Sequence, residues 1–153
     1  MHIVFIDGDH QEREIVGRCL EITFQGAKVT IFRGVGWFLE EYERLQKPFV
    51  LVLEVIQPLF AVENGDDELI QRVERLKVRF PWLGDDWEGL RGGEVLIRGI
   101  RSIQSDLPII VYTDVDYGQV SEDIKEMSML KICEKGDDGN FLSLARKIHS
   151  FET

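Results

Sequence analysis

The chain predicts an α/β fold, a parallel sheet with helices on both faces, and three features carry that expectation. Largely apolar runs at Ile3 to Ile6, Phe49 to Leu53, Leu107 to Tyr112 and Leu130 to Cys133 have the length of strands buried on both faces. Segments with apolar residues at helical spacing separate them, and strands alternating with such helices imply right-handed crossovers in one sheet. Each run is then closed by chemistry-bearing residues: Asp7, Glu54, Thr113 and, after Glu134, Lys135. In open α/β sheets, sites are built at the carboxyl ends of the strands.

The elements follow in order. After the first strand, residues 10 to 25 place Ile15, Val16, Cys19, Leu20 and Ile22 or Thr23 on the apolar face of a first helix, which Gly26 terminates. Ala27 to Phe32 alternates as the second strand. Residues 36 to 46, with Trp37, Phe38, Tyr42 and Leu45, form the second helix, ending before Pro48. The third strand closes on Glu54, with Pro58 four positions later. Asp66-Asp67-Glu68 leads into Leu69, Ile70, Val73, Leu76 and Phe80, an amphipathic stripe, and Pro81 to Trp87 follows as an aromatic loop. Gly92 to Arg101 is a further helix, and Gln119 to Met129 another, with Val120, Ile124 and Met127 on one face. Asp137-Asp138-Gly139-Asn140 opens the last helix, whose apolar residues are Phe141, Leu142, Leu144, Ala145 and Ile148. Acids at its start and Arg146, Lys147 and His149 near its end suit the helix dipole.

Composition bounds the function. The 153 residues fit one domain, and 44% hydrophobic with 30% charged content is ordinary for a globular protein. A net charge of −10 argues against nucleic-acid or anionic-membrane partners, since a phosphate surface would repel the chain. Cys19 and Cys133 lack metal-type pairing and are expected as reduced core residues. His2, His10 and His149 are scattered, and none is assigned as a ligand. Asp85, Asp86 and Glu88 lack the spacing of a calcium loop. Asp7 and Asp9 interrupt the first apolar run, so no signal peptide is expected; no run is long enough to span a membrane, and a cytoplasmic protein is expected.

Acid, acid, hydroxyl and lysine at successive strand ends resemble the receiver domain of two-component response regulators. The resemblance spans nearly the whole chain. It implies a flavodoxin-like sheet in the order 2-1-3-4-5 and aligns Asp7 with the first residue of the family's acidic pair. It also aligns Glu54 with the phospho-acceptor, Pro58 with the proline after it, Thr113 with the hydroxyl that hydrogen-bonds the phosphoryl group, and Lys135 with the lysine that pairs with it. The family's third helix matches Gly92 to Arg101, so about thirty residues, roughly 60–91, are an insertion in a single domain spanning 1–153. Two arrangements are open for its aromatics: a cap over the site, or a partner or dimer surface of Phe80, Trp82 and Trp87. The plain alternative is packing of the insertion onto the domain.

Four departures from the family pattern point to a degenerate receiver. Glu54 replaces an aspartate, Gly8 replaces the acid that binds Mg²⁺, Gly136 replaces a proline after the lysine, and Ile132 stands where the switch aromatic is usual. Glu carries its carboxylate ~1.5 Å further out than Asp, and a displacement of that size can cost ~100-fold in an in-line reaction. Mg²⁺ requires near-octahedral oxygen ligands, and glycine offers no carboxylate. Weak Mg²⁺ binding, using Asp7, Asp9 and Glu54 if any residues, and no other cofactor are expected. The favoured function is a stand-alone pseudo-receiver that contacts a sensor kinase or downstream signalling protein, with homodimerisation open, and with Glu54 reaching toward Lys135 where a phosphoryl group would lie. A solvated or salt-bridged remnant at Glu54 is the simpler reading. The alternatives are a phosphorylation-competent receiver, using Asp7, Asp9 or another site, and a small enzyme with Glu54 as general base; the second lacks a positioned histidine, a nucleophile elbow and a glycine-rich phosphate loop.

Overall fold

A computed structural model describes residues 1–60, 67–84, 91–136 and 140–152. Five parallel strands, β1 (His2–Ile6), β2 (Lys28–Phe32), β3 (Val50–Leu53), β4 (Ile109–Thr113) and β5 (Leu130–Glu134), form one sheet in the order β2-β1-β3-β4-β5. This is the flavodoxin-like order. Strand alternation divides the core between the two faces. Val4, Ile6, Leu51, Leu53, Ile109 and Val111 belong to one buried cluster. Ile3, Phe5, Val50, Val52, Ile110 and Tyr112 belong to the other. Helices α1 (His10–Thr23) and α6 (Asn140–His149) cover the second cluster through Val16, Leu20, Leu144 and Ile148. Helices α2 (Val35–Glu41), α4 (Gly92–Ile103) and the single-turn α5 (Glu122–Lys125) cover the first.

The inserted stretch contributes α3 (Asp67–Arg79), which buries Val73 and Leu76 and ends on buried Phe80. Ile70, placed on the apolar stripe from sequence, is exposed. A 3₁₀ turn, Pro81–Leu83, follows and sets the Trp82 ring against Gly99 of α4, where a Cβ would collide with it. Phe80 meets Tyr42 edge-to-face and Trp82 at a tilt, at 6.3 and 5.7 Å between ring centres. Phe80 and Trp82 therefore pack the insertion onto the domain. Asp66, Asp85, Asp86, Trp87 and Glu88 lie outside the described residues, as do Asp137, Asp138 and Gly139.

Three expectations change. The second helix tightens after Glu41 into a 3₁₀ turn, Tyr42–Arg44, where the Tyr42 hydroxyl bonds Gln104 Oε1 at 2.7 Å. The helix expected over Gln119 to Met129 is reduced to α5, because both of its ends are claimed elsewhere. Asp116 and Gln119 close a capping box around a separate 3₁₀ turn, Tyr117–Gln119, and Val120 and Ser121 are extended. At the other end Arg101 takes the carbonyls of Ser128 and Met129 at 2.7 and 3.0 Å, and Met129 adopts a positive φ of 56°. The apolar faces assigned to the outer helices are also narrower than expected: Ile15, Ile22 and Leu142 are exposed and Cys19 is half-buried, while Cys133 is buried. The sheet accepts only the residues in phase with Val16 and Leu20, and the flanking apolar positions of α1 rotate toward solvent.

α4 starts hard against the end of β3. Gly92 N–H donates to the Gln57 carbonyl at 2.8 Å and Gly93 N–H to the Val55 carbonyl at 3.2 Å, which satisfies two donors at the helix start. A Cβ on Gly93 would fall on the Glu54 carbonyl oxygen. Gly93→Ala is therefore expected to lower stability by about 1–3 kcal/mol, read as a lower urea midpoint with an unchanged slope.

Candidate functional site

The register of the strands assembles the predicted residues. Ile6 pairs with Leu53, so Asp7 and Glu54 leave neighbouring strands at the same level. Thr113 ends β4 opposite Glu134 of β5, and the Lys135 N–H donates to the Thr113 carbonyl at 2.6 Å. Asp7, Glu54 and Thr113 are buried, and the Lys135 side chain is only 6% exposed.

Both oxygens of Glu54 are saturated. Oε1 accepts the Thr113 hydroxyl at 2.6 Å and the Ile56 N–H at 3.0 Å. Oε2 accepts the Asp114 N–H at 3.1 Å and lies 3.2 Å from the Lys135 ammonium. Glu54 is thus salt-bridged and buried rather than solvated, and its carboxylate faces four donors. Carboxylates satisfied by charged and backbone donors form the stronger class of hydrogen bonds. The longer side chain supplies the reach, and the backbone turn at Ile56 folds back to meet it.

Lys135 holds the cluster together. Its ammonium donates to Asp7 Oδ2 at 2.7 Å and also lies 3.7 Å from Glu12 and 4.0 Å from Asp114. Burial alone would push this lysine down. Asp7, through its charge and its hydrogen bond, and then Glu54 and Glu12 outweigh burial and hold it above the ordinary lysine range. Burial pushes Glu12 up, with Lys135 pulling the other way. The same ammonium sits 5.3 Å from the centre of the Tyr112 ring, and burial, then Glu12, push that phenol up to about 12.

The acidic pair expected at Asp7 and Asp9 does not converge. Asp7 Oδ1 accepts the Asp9 N–H at 2.8 Å, while the Asp9 carboxylate turns away to cap α1, accepting from Gln11 and Glu12 N–H at 2.8 and 3.2 Å. Gly8 borders the Gln57 side chain, 3.8 Å from where its own Cβ would stand. With Lys135 already bridging Asp7 and Glu54, the donor set does not fit a Mg²⁺ ion, which needs an open shell of oxygens. Among the described residues no group of three or more His, Cys, Asp or Glu is placed to hold a metal. Asp7, Asp9, Glu54, Ile56, Gln57, Asp114, Val115, Gln119 and Lys135 line an open cleft of about 400 Å³. No residue of α3 lines it among those described, so α3 does not cap the site. Ile132, at the position the resemblance gives to the switch aromatic, packs half-buried against the core.

Sequence reasoning missed a second polar knot behind the cleft. Glu94 of α4 is buried and accepts the Ser121 N–H at 2.9 Å, the Ser121 hydroxyl at 3.0 Å and Arg91 at 2.9 Å. Arg91 also donates to the Gln119 carbonyl at 3.1 Å and bridges backbone to Gln57, which itself donates to the Glu54 carbonyl at 2.6 Å. Burial would raise the Glu94 carboxyl, but the Ser121 N–H and Arg91 hold it below its ordinary value. The end of the insertion is tied in this way to both the Glu54 loop and the segment after Thr113. The one signal in the sequence was a lone acid within the apolar start of α4.

No protein-family model matches the chain, and no curated protein matches it in sequence. Solved structures do. The chain superimposes on full-length FixJ from B. japonicum with a TM-score of 0.62 at 19% identity, covering 97% of this chain and 56% of FixJ. It superimposes on RcsB from Salmonella enterica serovar Typhimurium, bound to promoter rprA in the presence of the phosphomimetic BeF3-, with a TM-score of 0.64 at 15% identity, covering 99% and 62%. The response regulator TrrA from Thermotoga maritima, in complex with Mg(2+)-BeF, gives 0.59 at 14% identity, covering 95% and 96%. The chain spans little more than half the length of FixJ and RcsB. It has the fold of response-regulator receiver domains.

Two variants probe the charge network. Lys135→Met leaves Asp7 and Glu54 buried without their cation and is expected to cost about 3–5 kcal/mol, measured by chemical denaturation at neutral pH. The Lys135 pKa is raised, so its contribution is complete below the ordinary lysine value of about 10.4 and is lost only as pH rises through the higher folded value. Glu94→Ala leaves the Ser121 N–H unpaired and is expected to cost about 1–3 kcal/mol. The Glu94 pKa is lowered, so its contribution is present above about 4.3 and lost as pH falls through the lower folded value. The difference between wild type and Glu94→Ala should therefore shrink in an acid titration of stability.

Proposed function

We propose that the chain is a receiver-like signalling module that works through protein contact without taking up phosphate, because its own Glu54 carboxylate serves as the anion at the strand ends. The observation that carries this reading is the saturation of Glu54 by the Thr113 hydroxyl, the Lys135 ammonium and the Ile56 and Asp114 N–H groups. In the receiver family, which the chain resembles, the hydroxyl and lysine at these positions hold the phosphoryl group. RcsB and TrrA were solved with beryllium fluoride mimics; here a side chain already meets those two groups. A carboxylate with every lone pair engaged is a poor nucleophile. The ammonium between Asp7 and Glu54 further opposes a divalent cation there.

The output is a docking surface held in one arrangement. Thr113 is fixed by Glu54, and its Oγ1 in turn accepts the Val115 N–H at 3.2 Å, so the loop after β4 is set by the same carboxylate. The partner is a signalling protein, a sensor kinase or a downstream component. A nucleic acid is disfavoured by the net charge of −10.

A phosphodonor experiment tests the reading. Wild type incubated with acetyl phosphate and Mg²⁺ should remain unmodified by intact mass, and beryllofluoride should leave its melting temperature unchanged. Glu54→Asp with Gly8→Asp should regain Mg²⁺-dependent phosphorylation, and Glu54→Ala should be stabilised by inorganic phosphate filling the vacated space. A phosphoryl group found on wild-type Glu54, Asp7 or Asp9 would overturn the proposal.

A further inference from the structure

β2 is one edge of the sheet, opposite the β5 edge. The Lys28 N–H donates to the Met1 carbonyl at 3.0 Å and the Phe32 carbonyl accepts the Asp7 N–H at 3.2 Å, so Lys28, Thr30 and Phe32 turn their backbone groups toward β1. In a parallel ladder each neighbouring strand takes alternate residues. Val29, Ile31 and Arg33 therefore present their backbone groups outward, and no strand among the described residues pairs with them. Along that edge runs an open cleft of about 410 Å³, bordered by Arg13 of α1, by Ile31, Phe32 and Arg33, and by Trp37 and Glu40 of α2. Ile31 packs on one face of the sheet and Phe32 on the other, so the cleft straddles the strand.

The cleft carries charge in a fixed order. At the end of β2 the exposed Arg33 guanidinium lies 4.1 Å from the centre of the Trp37 ring, which also holds Arg72 of α3 at 4.6 Å. Arg72 is paired with Glu68 at 3.6 Å, and Arg13 donates to the Asp7 carbonyl at 2.9 Å. Arg33 has no carboxylate within ion-pair distance among the described residues. At the other end Glu41 meets Arg44 at 3.5 Å, whereas Glu40 Oε1 is buried and accepts no hydrogen bond among the described residues. A buried carboxylate oxygen without a donor is costly. Because the strands are parallel, α2 runs back against β2, and Glu40 stands five residues after Val35, ~7.5 Å along the helix axis or about two residues of strand. We propose that the β2 edge takes an extended segment of a partner protein, antiparallel to β2. An acidic residue of that segment lies abreast of Arg33, and two positions later, on the same side of the added strand, a basic residue donates to Glu40 Oε1. Antiparallel pairing is the more stable per residue. The outward backbone groups supply affinity and the two charges supply register, as in other strand additions. Charged side chains commonly guard an edge. Here Lys28 is exposed at the start of β2, but the Arg33 guanidinium is drawn off the strand onto Trp37.

The inference is independent of Glu54 and is tested on the whole chain. The probe is a fluorescent nonapeptide of alternating threonine and valine with glutamate at its third position and lysine at its fifth. Its anisotropy should saturate below about 1 mM protein, and amide exchange should slow at Val29, Ile31 and Arg33 while Lys28, Thr30 and Phe32 are unchanged. Glu40→Lys should weaken binding about tenfold or more, and replacing the peptide's lysine by glutamate should recover it. Val29→Pro removes one outward N–H and leaves the Lys28 and Phe32 bonds to β1 in place. It should abolish binding while circular dichroism shows the fold retained. Absence of saturable binding to wild type would overturn the inference, as would binding indifferent to the charge at position 40. So would equal binding of a peptide with its glutamate and lysine transposed, or binding that leaves the β2 amides unprotected.

Discussion

The Lys135 ammonium lies between two buried carboxylates, 2.7 Å from Asp7 and 3.2 Å from Glu54. Three strands contribute to that arrangement, and none of the three charges could be buried alone without a large desolvation cost. Two anions facing one cation would leave a surplus of negative charge. The Thr113 hydroxyl and the N–H groups of Ile56, Asp114 and Asp9 supply the remaining complement. The carboxyl edge of the sheet is thereby closed by internal partners, and the loops that leave it inherit their positions from the same atoms.

The inserted stretch is coupled to that edge through backbone as well as charge. Gly92 and Gly93 allow α4 to start against the carbonyls of Gln57 and Val55, and Arg91 and Glu94 then reach the segment around Ser121. This contact adds to the Asp116 capping box and the Arg101 bonds that keep α5 short. The Ser121 hydroxyl, which could have capped a longer helix, is spent on Glu94. A substitution in the insertion's return path would therefore be felt in the loop after β4 without touching Glu54.

The two faces of the sheet are finished differently. On the α2 and α4 side the inserted α3 and the Trp82 ring thicken the cover; Trp37 meets Phe60, and a separate row of aromatic contacts runs from Phe38 through Tyr42 to Phe80 and Trp82. On the other side α1 and α6 stand as a single layer and leave Ile15, Ile22 and Leu142 to solvent.

Much of this was legible in the sequence, because strands buried on both faces must be written as apolar runs, and a polar residue at the end of such a run has to stand at the sheet edge. The runs closing on Asp7, Glu54, Thr113 and Lys135, together with the alternation at Ala27 to Phe32, determined the number of strands, their crossovers and the residues that meet there. Side-chain direction was not written in that pattern. Asp9 turned to cap α1 because two free N–H groups lay within reach, Ile15 and Ile22 faced out because a helix on a sheet buries only a narrow stripe, and the helix expected after Thr113 shrank because Arg101 and Glu94 claimed its ends. The sequence by itself determined which groups reach the sheet edge, since periodicity and apolar runs are local properties of the chain. Only the tertiary structure decided that Glu54 is saturated by donors from β4 and β5, because those partners are 59 and 81 residues away and hydrogen-bond geometry is fixed only once the strands are in register.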